Sequence, residues 1–146
     1  MDLKAIQEEW HEDAKIDQTE LGNNAADASN LHAKYLDYLV KARFNVKKAE
    51  NKLLEEKQLL TKYFKGLMTK DELEEYGWPQ YQGPKPLKTE LQEMIEANDD
   101  YIKLSNQHHY CRVTEDYLEH VIKELSNRNW NMKLCLQWIQ WTNGDK

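Results

Sequence analysis

A heptad-like pattern of apolar residues in the first half of the chain constrains the fold more than any other feature. Apolar or aromatic side chains recur at alternating spacings of four and three residues from Leu21 to Leu67. Twelve of these fourteen positions are apolar or aromatic, and the exceptions are His32 and Glu56. A repeat of about 3.5 residues is typical of a coiled-coil seam, because it keeps one stripe of a helix against a partner helix. The pattern therefore predicts a long, packed helix over about residues 18–66.

Capping residues indicate where helices begin and end. Asp17 and Glu20 precede the long pattern with the spacing of a capping box, in which each side chain satisfies a free backbone amide. Gly66 suits the end of the same helix, since glycine readily adopts the left-handed conformation found there. Thr69 and Glu72 form a second capping-box pair, which predicts a short helix after the long one.

The second half of the chain contains one loop signal and a further helical pattern. Residues 77–87 hold all three prolines and two of the five glycines, and are predicted to form a loop. An apolar stripe predicts a second helix over about residues 88–125; its members are Leu91, Ile95, Ile102, Val113, Tyr117, Val121 and Leu125. Polar residues 126–129 indicate a break or kink before a short C-terminal helix, over residues 127–142. The predicted fold is all-α: a long helical hairpin or coiled coil followed by that short helix.

The C-terminal segment is rich in tryptophan and other apolar side chains. Three tryptophans within twelve residues exceed what a terminal surface helix can bury against its own chain, and aromatic residues are enriched in interfaces. Self-association is therefore expected, and a head-to-tail contact can close a ring. A membrane-bound amphipathic helix is disfavoured, because Lys133 is the lone cation among these residues. The residues expected to carry oligomerisation are Trp130, Leu134, Cys135, Trp138, Ile139 and Trp141.

The net charge of the chain is −6, but the charge is unevenly distributed. Residues 1–33 carry two lysines against eight acids, and residues 66–146 carry nine basic against fourteen acidic side chains. Residues 34–65 instead carry nine basic against four acidic side chains. A uniformly acidic chain would argue against nucleic-acid binding, whereas this basic segment is a local signal for an anionic partner.

Aromatic residues alternate with lysines at the end of the long helix and in the following loop. Sequence-tolerant binding of single-stranded nucleic acid needs cations that contact the phosphates and aromatic rings that stack on the bases. The competing interpretation is that the rings pack on the helices and the lysines are solvated. Tyr63 fits the seam, so Phe64 is the better stacking residue of that pair. The candidate DNA-binding residues are Lys57, Lys62, Tyr63, Phe64, Lys65, Trp78, Tyr81 and Lys85.

Sequence signals for catalysis, metal binding or membrane insertion are not found. The chain has no Gly-rich phosphate loop and no nucleophile with a base at a recognisable spacing, so no enzyme and no cofactor are predicted. His108 and His109 are adjacent and therefore point about 100° apart on a helix, which disfavours a metal site. Neither a signal peptide nor a stretch of ~20 apolar residues is present. The lysines of residues 34–52 are best explained as a solvated face or interhelical ion pairs.

Several short motifs resemble the UvsY family of recombination mediators from T4-like phages. The motifs that carry this resemblance are Ile6-Gln7-Glu8-Glu9, Asp13, Ile16-Asp17-Gln18-Thr19-Glu20-Leu21, Tyr63-Phe64-Lys65-Gly66 and Leu87-Lys88-Thr89. The family's basic residues stand just before the paired aromatics. Here Lys57, Lys62 and Lys65 flank that pair, whereas Gln58 and Leu60 stand where the family pattern has charge.

The resemblance implies a non-enzymatic protein that acts in the host cytoplasm on single-stranded DNA. It implies a ring-like homo-oligomer that contacts the phage recombinase and the phage single-strand DNA-binding protein. In this interpretation residues 1–125 form an elongated DNA-binding region, and residues 127–142 form the oligomerisation helix. The implied function is to load the recombinase onto strands covered by the single-strand binding protein. The alternative is a structural coiled-coil adaptor without affinity for nucleic acid, which the net charge of −6 supports.

Overall fold

The computed structural model describes residues 1–15 and 21–144. This part of the chain contains helices and no strand, which confirms the all-α prediction. The helices are α1 (Leu3–Asp13), α2 (Leu21–Phe64), α3 (Lys70–Tyr76), α4 (Lys88–Glu96) and α5 (Asp99–Thr142). No helix within these described ranges is long and apolar enough to cross a membrane. The capping box predicted at Asp17 and Glu20 lies outside the described residues.

The seam predicted along α2 is buried as its repeat requires. The side chains of Leu21 and Ala25, at its start, lie outside the described part. The remaining seam positions on α2 are buried or half-buried, and Leu67, beyond the end of the helix, is 64% exposed. The buried positions are Ala28, Tyr35, Leu39, Ala42, Ala49 and Leu60. The half-buried positions are His32, Val46, Leu53, Glu56 and Tyr63.

The chain divides into two compact units, and α2 and α5 contribute residues to both. The first unit comprises Met1–Phe44 and Arg112–Lys146, and the second comprises Asn45–Cys111. In the first unit, α1 packs against the beginning of α2 and the later part of α5. The Trp10 ring meets the Tyr35 ring edge-on, with centroids 5.4 Å apart. The core of this unit consists of Ile6, Trp10, Tyr35, Leu39, Ala42, Leu118, Val121 and Leu125.

Polar contacts at the end of α1 reinforce this core. The Asp13 carboxylate accepts hydrogen bonds from the Lys34 ammonium at 2.7 Å and from the Tyr35 hydroxyl at 2.8 Å. Arg128 of α5 donates to the backbone carbonyls of Asp13 at 3.0 Å and Lys15 at 3.4 Å. Burial by itself would raise the pKa of Asp13, but the hydrogen bonds from Lys34 and Tyr35 outweigh it and lower that pKa. Lys34 therefore belongs to an interhelical ion pair.

The predicted break at residues 126–129 is wrong. A single helix, α5, runs from Asp99 to Thr142 through this polar cluster, so no separate helix occupies residues 127–142. The hydroxyl of Ser126 donates to the backbone carbonyl of Ile122 at 3.2 Å, a bond that keeps the side chain within the helix. Polar residues without proline or glycine do not by themselves end a helix.

The actual interruption lies earlier, between α4 and α5, so the predicted helix over residues 88–125 is also wrong. α4 ends at Glu96, and Asn98 accepts a hydrogen bond from the backbone amide of Tyr101 at 3.1 Å. Asparagine is a preferred residue at this position, because its side chain satisfies a free amide of the first turn. Beyond this cap two members of the predicted stripe, Ile102 and Val113, are exposed, whereas Val121 and Leu125 are buried as predicted.

Candidate nucleic-acid interface

The last turn of α2 is fixed by a glycine in the left-handed conformation. Gly66 has a φ of 70°, which suits glycine because it lacks a Cβ. Its amide donates to the Tyr63 carbonyl at 3.0 Å, and the Leu67 amide donates to the Lys62 carbonyl at 3.0 Å. These two bonds form a Schellman motif, which confirms Gly66 as the end signal of the helix. The candidate residues Lys62, Tyr63 and Phe64 therefore lie on a well-defined helix end.

The short helix α3 then positions the first loop aromatic. The Thr69 hydroxyl accepts from the Glu72 amide at 3.2 Å, and the Glu72 carboxylate accepts from the Thr69 amide at 3.5 Å, so the predicted capping box is confirmed. At the other end Gly77 has a φ of 67°, and the Trp78 amide donates to the Leu73 carbonyl at 3.0 Å. Trp78 therefore follows α3 directly, at the start of the loop predicted over residues 77–87.

Tyr63 is the centre of an aromatic cluster, formed by Tyr63, Phe64, Trp78 and Tyr81. Its ring centroid lies 5.1 Å from that of Trp78 and 5.8 Å from that of Tyr81. Phe64 contacts Tyr63 and Tyr81 edge-on, with centroids 5.3 Å away in each case. The Tyr63 hydroxyl also donates to the Pro79 carbonyl at 2.7 Å. The fold thus brings together four candidate aromatics that lie in two separate segments of the sequence.

The loop is closed around Tyr81 by local contacts. The Tyr81 hydroxyl donates to the Pro84 carbonyl at 3.0 Å. Gly83 lies so close to the Tyr81 ring that a Cβ at this position would overlap the ring. All four rings of the aromatic cluster remain half-buried, so each packs on its neighbours and keeps part of its surface accessible. The loop aromatics therefore fold back onto the helix end, as the competing interpretation expected, without being fully covered.

The candidate lysines fall into two groups. Lys57, Lys65 and Lys85 are exposed and form no ion pair within the described residues. Lys62 instead lies 2.6 Å from a carboxylate oxygen of Glu72. This hydrogen bond lowers the pKa of Glu72, so the carboxylate is charged at neutral pH. Sequence reasoning missed the role of Glu72, because it treated this residue only as the helix cap of α3.

The predicted oligomerisation residues are all exposed near the end of α5. Trp130, Leu134, Trp138 and Trp141 are separated by four, four and three residues, so they share one face of a helix with about 3.6 residues per turn. We refer to these four residues as the C-terminal stripe. The Trp138 and Trp141 rings stack, with centroids 5.4 Å apart. Cys135 and Ile139 are exposed as well, but each lies about 100° around the helix from the stripe residue that precedes it.

Residues 1–15 and 21–144 contain no group of three or more histidine, cysteine, aspartate or glutamate side chains with suitable geometry for a metal ion. His108 is half-buried on α5, and His109 is exposed. Cys111 and Cys135 are free thiols.

Solved structures with the same fold are found among phage proteins. The chain is similar to three crystal structures of the recombination mediator protein UvsY of bacteriophage T4. For lattice type II the TM-score is 0.85 at 21% identity, with 99% of each chain covered. Lattice type IV gives 0.83 at 20% identity, covering 97% of this chain and 99% of the other. Lattice type I gives 0.81 at 20% identity, covering 94% and 98%.

Sequence comparison places the chain in a family. No curated protein sequence matches it. A family model described as "Recombination, repair and ssDNA binding protein UvsY" matches residues 9–145, nearly the whole chain. The resemblance of the short motifs is therefore confirmed, and the chain belongs to the UvsY family of recombination, repair and single-stranded DNA binding proteins.

Proposed function

We propose that this protein is a recombination mediator that binds single-stranded DNA at the aromatic cluster and its flanking lysines. In this role it promotes loading of the phage recombinase onto strands covered by the phage single-strand DNA-binding protein. One observation carries the proposal: four half-exposed rings meet where the end of α2 contacts the loop after α3. The same two segments carry the exposed lysines Lys57, Lys65 and Lys85. No catalytic residue is assigned.

The chemistry of such a site suits a protein that accepts any strand sequence. Stacking of a base on an aromatic ring contributes ~1–3 kcal/mol and depends little on which base is present. The three exposed lysines supply charge for the phosphates, and each phosphate that they neutralise releases counterions. Binding that relies on rings and cations is therefore tolerant of sequence and sensitive to salt.

Self-association through the C-terminal stripe would multiply this weak site. Trp138 and Trp141 are 63% and 62% exposed, a large apolar surface for a single chain to leave in water. Several copies of the site in one oligomer act at high effective concentration along a strand, and their combined affinity exceeds that of one site. A ring is the assembly expected from a head-to-tail contact that closes.

Contacts with protein partners complete the proposed mechanism. The acidic tracts of residues 1–33 and 90–119 offer surfaces for basic regions of the recombinase and of the single-strand binding protein. An oligomer that wraps or bends the DNA strand would weaken the binding of the single-strand binding protein to that strand. It would also stabilise early recombinase filaments. This step can be measured as the rate at which labelled recombinase coats a covered oligonucleotide, with and without the protein.

Strand binding itself is tested by fluorescence anisotropy with a labelled poly-dT oligonucleotide over a series of salt concentrations. Tight binding is expected, with a slope of log affinity against log salt near −0.7 for each phosphate neutralised. The variant Lys57→Gln/Lys65→Gln/Lys85→Gln should bind more weakly and show a shallower slope. The matched control is Lys4→Gln/Lys103→Gln/Lys123→Gln, which removes the same charge from three exposed lysines outside the site.

The structural adaptor is the second candidate function. It is favoured by one observation: Lys34, Arg43 and Lys62, three of the nine basic residues in the basic segment, are engaged in ion pairs. An adaptor would not bind poly-dT at low salt even when it is shown to be oligomeric. Equal loss of affinity in both triple variants would instead indicate a general charge effect and contradict the proposed site.

A further inference from the structure

We propose that Glu72 competes with DNA phosphates for Lys62 and thereby lowers the affinity of the site for a strand. This inference rests on the proposed function, because it assigns a role to an anion beside the DNA site. Glu72 is thus an affinity-setting residue: it occupies a cation that a phosphate would otherwise use.

The carboxylate of Glu72 is held in place from two sides. One oxygen lies 2.6 Å from the Lys62 ammonium. The other oxygen accepts hydrogen bonds from the backbone amide and the hydroxyl of Thr69, at 3.5 and 3.2 Å. The cap of α3 therefore presents the carboxylate to Lys62 as a preformed acceptor, without the entropy cost of ordering a free side chain. A carboxylate so placed offers the lysine the same kind of contact as a phosphate oxygen.

The ion pair is open to an incoming strand. The side chains of Lys62 and Glu72 are 42% and 30% exposed. Both also line a surface cleft of about 630 Å³, together with Lys52 and Tyr76. Because exposed ion pairs are weak, a phosphate can displace the carboxylate. The exchange costs binding free energy, because one favourable contact must be broken before its replacement forms.

The position of Lys62 in the chain makes this exchange relevant to the aromatic cluster. Lys62 directly precedes Tyr63, whose ring is the centre of that cluster. The ring of Tyr76, which lines the same cleft as the ion pair, lies 5.3 Å from Trp78. Tyr76 thus connects the cleft that holds the ion pair to the aromatic cluster, and in this proposal a strand bound at the rings also passes the Lys62–Glu72 pair. α3 also carries Asp71, Glu74 and Glu75, so the general acidity of this helix must be separated from the ion pair itself.

Glu72→Gln separates charge from structure. Glutamine at the third helical position preserves a capping box, so α3 keeps its cap while Lys62 is released. Affinity for poly-dT at low salt is expected to rise roughly two- to fivefold, the range of a weak ion pair. The slope of log affinity against log salt should become more negative by about 0.7 for each additional phosphate contact. Glu72→Asp keeps the charge, but its shorter side chain holds the carboxylate further from Lys62. This variant should therefore also raise the affinity for poly-dT.

Two further variants decide the cause of any gain. Glu75→Gln removes the same charge one turn further along α3, from an exposed side chain with no ion pair among the described residues. It is expected to bind like the unmodified protein. The double variant Lys62→Gln/Glu72→Gln is expected to lose the gain of the single variant, because the released cation is no longer present. Thermal unfolding by circular dichroism checks that every variant is folded.

The possible results separate this inference from the proposed function. Failure of the unmodified protein and of Glu72→Gln to bind poly-dT at low salt would overturn both. If the unmodified protein binds and neither Glu72 variant binds more tightly, the proposed function stands and the inference is overturned. An equal gain in Glu75→Gln, or a gain that persists without Lys62, would also overturn it, because the effect would then be one of net charge.

Discussion

The hydroxyl of Tyr63 and the backbone carbonyl of Pro79 lie 2.7 Å apart, so the last turn of α2 and the loop after α3 are joined by a hydrogen bond. The Tyr63 ring also contacts the rings of Trp78 and Tyr81. The same residue thus organises the loop through its ring and through its hydroxyl.

Tyr63→Phe separates these two contributions, since it keeps the ring and removes the hydrogen bond. The free energy of unfolding is expected to fall by about 0.5–1 kcal/mol, because the Pro79 carbonyl can exchange its partner for water. Urea denaturation measures this change. Tyr76→Phe is the control, because the Tyr76 hydroxyl forms no hydrogen bond within the described residues. An equal loss in both variants would contradict the role assigned to the bond.

Trp78→Leu tests the stacking surface. Removal of the indole ring should weaken poly-dT binding by ~1–3 kcal/mol if a base stacks on it, since leucine is apolar but offers no aromatic face. Anisotropy titration measures the affinity. Phe44→Leu removes an aromatic ring that is 72% exposed on α2 but outside the aromatic cluster, and should leave the affinity unchanged. Normal affinity of Trp78→Leu would remove Trp78 from the site.

Substitutions in the C-terminal stripe should dissociate the proposed oligomer. Leu134→Asp or Trp138→Asp places a charge on the exposed apolar face, and burial of that charge in an interface would be strongly unfavourable. Sedimentation velocity is expected to show smaller species than for the unmodified protein. Gln140→Asp introduces the same charge about 160° around the helix from Trp138 and should leave the assembly intact. Unchanged sedimentation of both stripe variants would place the interface elsewhere.

The ion pair between Asp13 and Lys34 should make stability depend on pH. Hydrogen bonds from Lys34 and Tyr35 outweigh the opposing effect of burial and lower the pKa of Asp13 below its ordinary value of 3.8. Because the pKa of Asp13 is lower in the folded state, the ionised carboxylate stabilises the fold fully above pH 3.8. This contribution to the free energy of unfolding is lost as the pH falls through the folded-state pKa of Asp13. At neutral pH, Asp13→Asn should reduce the free energy of unfolding by about 1 kcal/mol, after allowance for solvent screening.

Urea denaturation at several pH values checks this prediction. The difference in stability between the unmodified protein and Asp13→Asn should shrink as the solution is acidified below pH 3.8. Glu12→Gln is the matched control, because Glu12 pairs only with Lys15 among the described residues, and both side chains are more than 70% exposed. A difference that stays constant with pH would show that Asp13 does not act through its charge.

Features that depend on neighbours a few residues apart could be predicted from the sequence. The α2 seam follows from a repeat that one helix imposes on itself, and every described seam position from Ala28 to Tyr63 is at least half-buried. The ends at Gly66 and Gly77 and the cap at Thr69 follow from hydrogen bonds that span at most five residues. The main exception lies in the second half of the chain.

The failure concerns the break in the second half of the chain. The sequence prediction placed the break at the four polar residues 126–129 and did not identify the single asparagine at position 98, although Asn98 is the true cap. Helix continuity through residues 126–129 is supported by the fold on either side: Leu125 and Met132 are buried. Contacts of this kind stabilise a helix beyond its intrinsic propensity, and a sequence pattern does not reveal them.

The sequence by itself therefore determined the helical class, the seam of α2, the caps of α3 and the residue types of the proposed DNA-binding site. Only the tertiary structure decided which of these residues meet. It brings Trp78 and Tyr81 onto Tyr63, and it pairs Lys62 with Glu72 while Lys57 and Lys65 remain exposed. The physical reason is that helix caps and periodic burial arise from interactions within a few residues, whereas contacts across ten or more residues depend on how the intervening chain turns back.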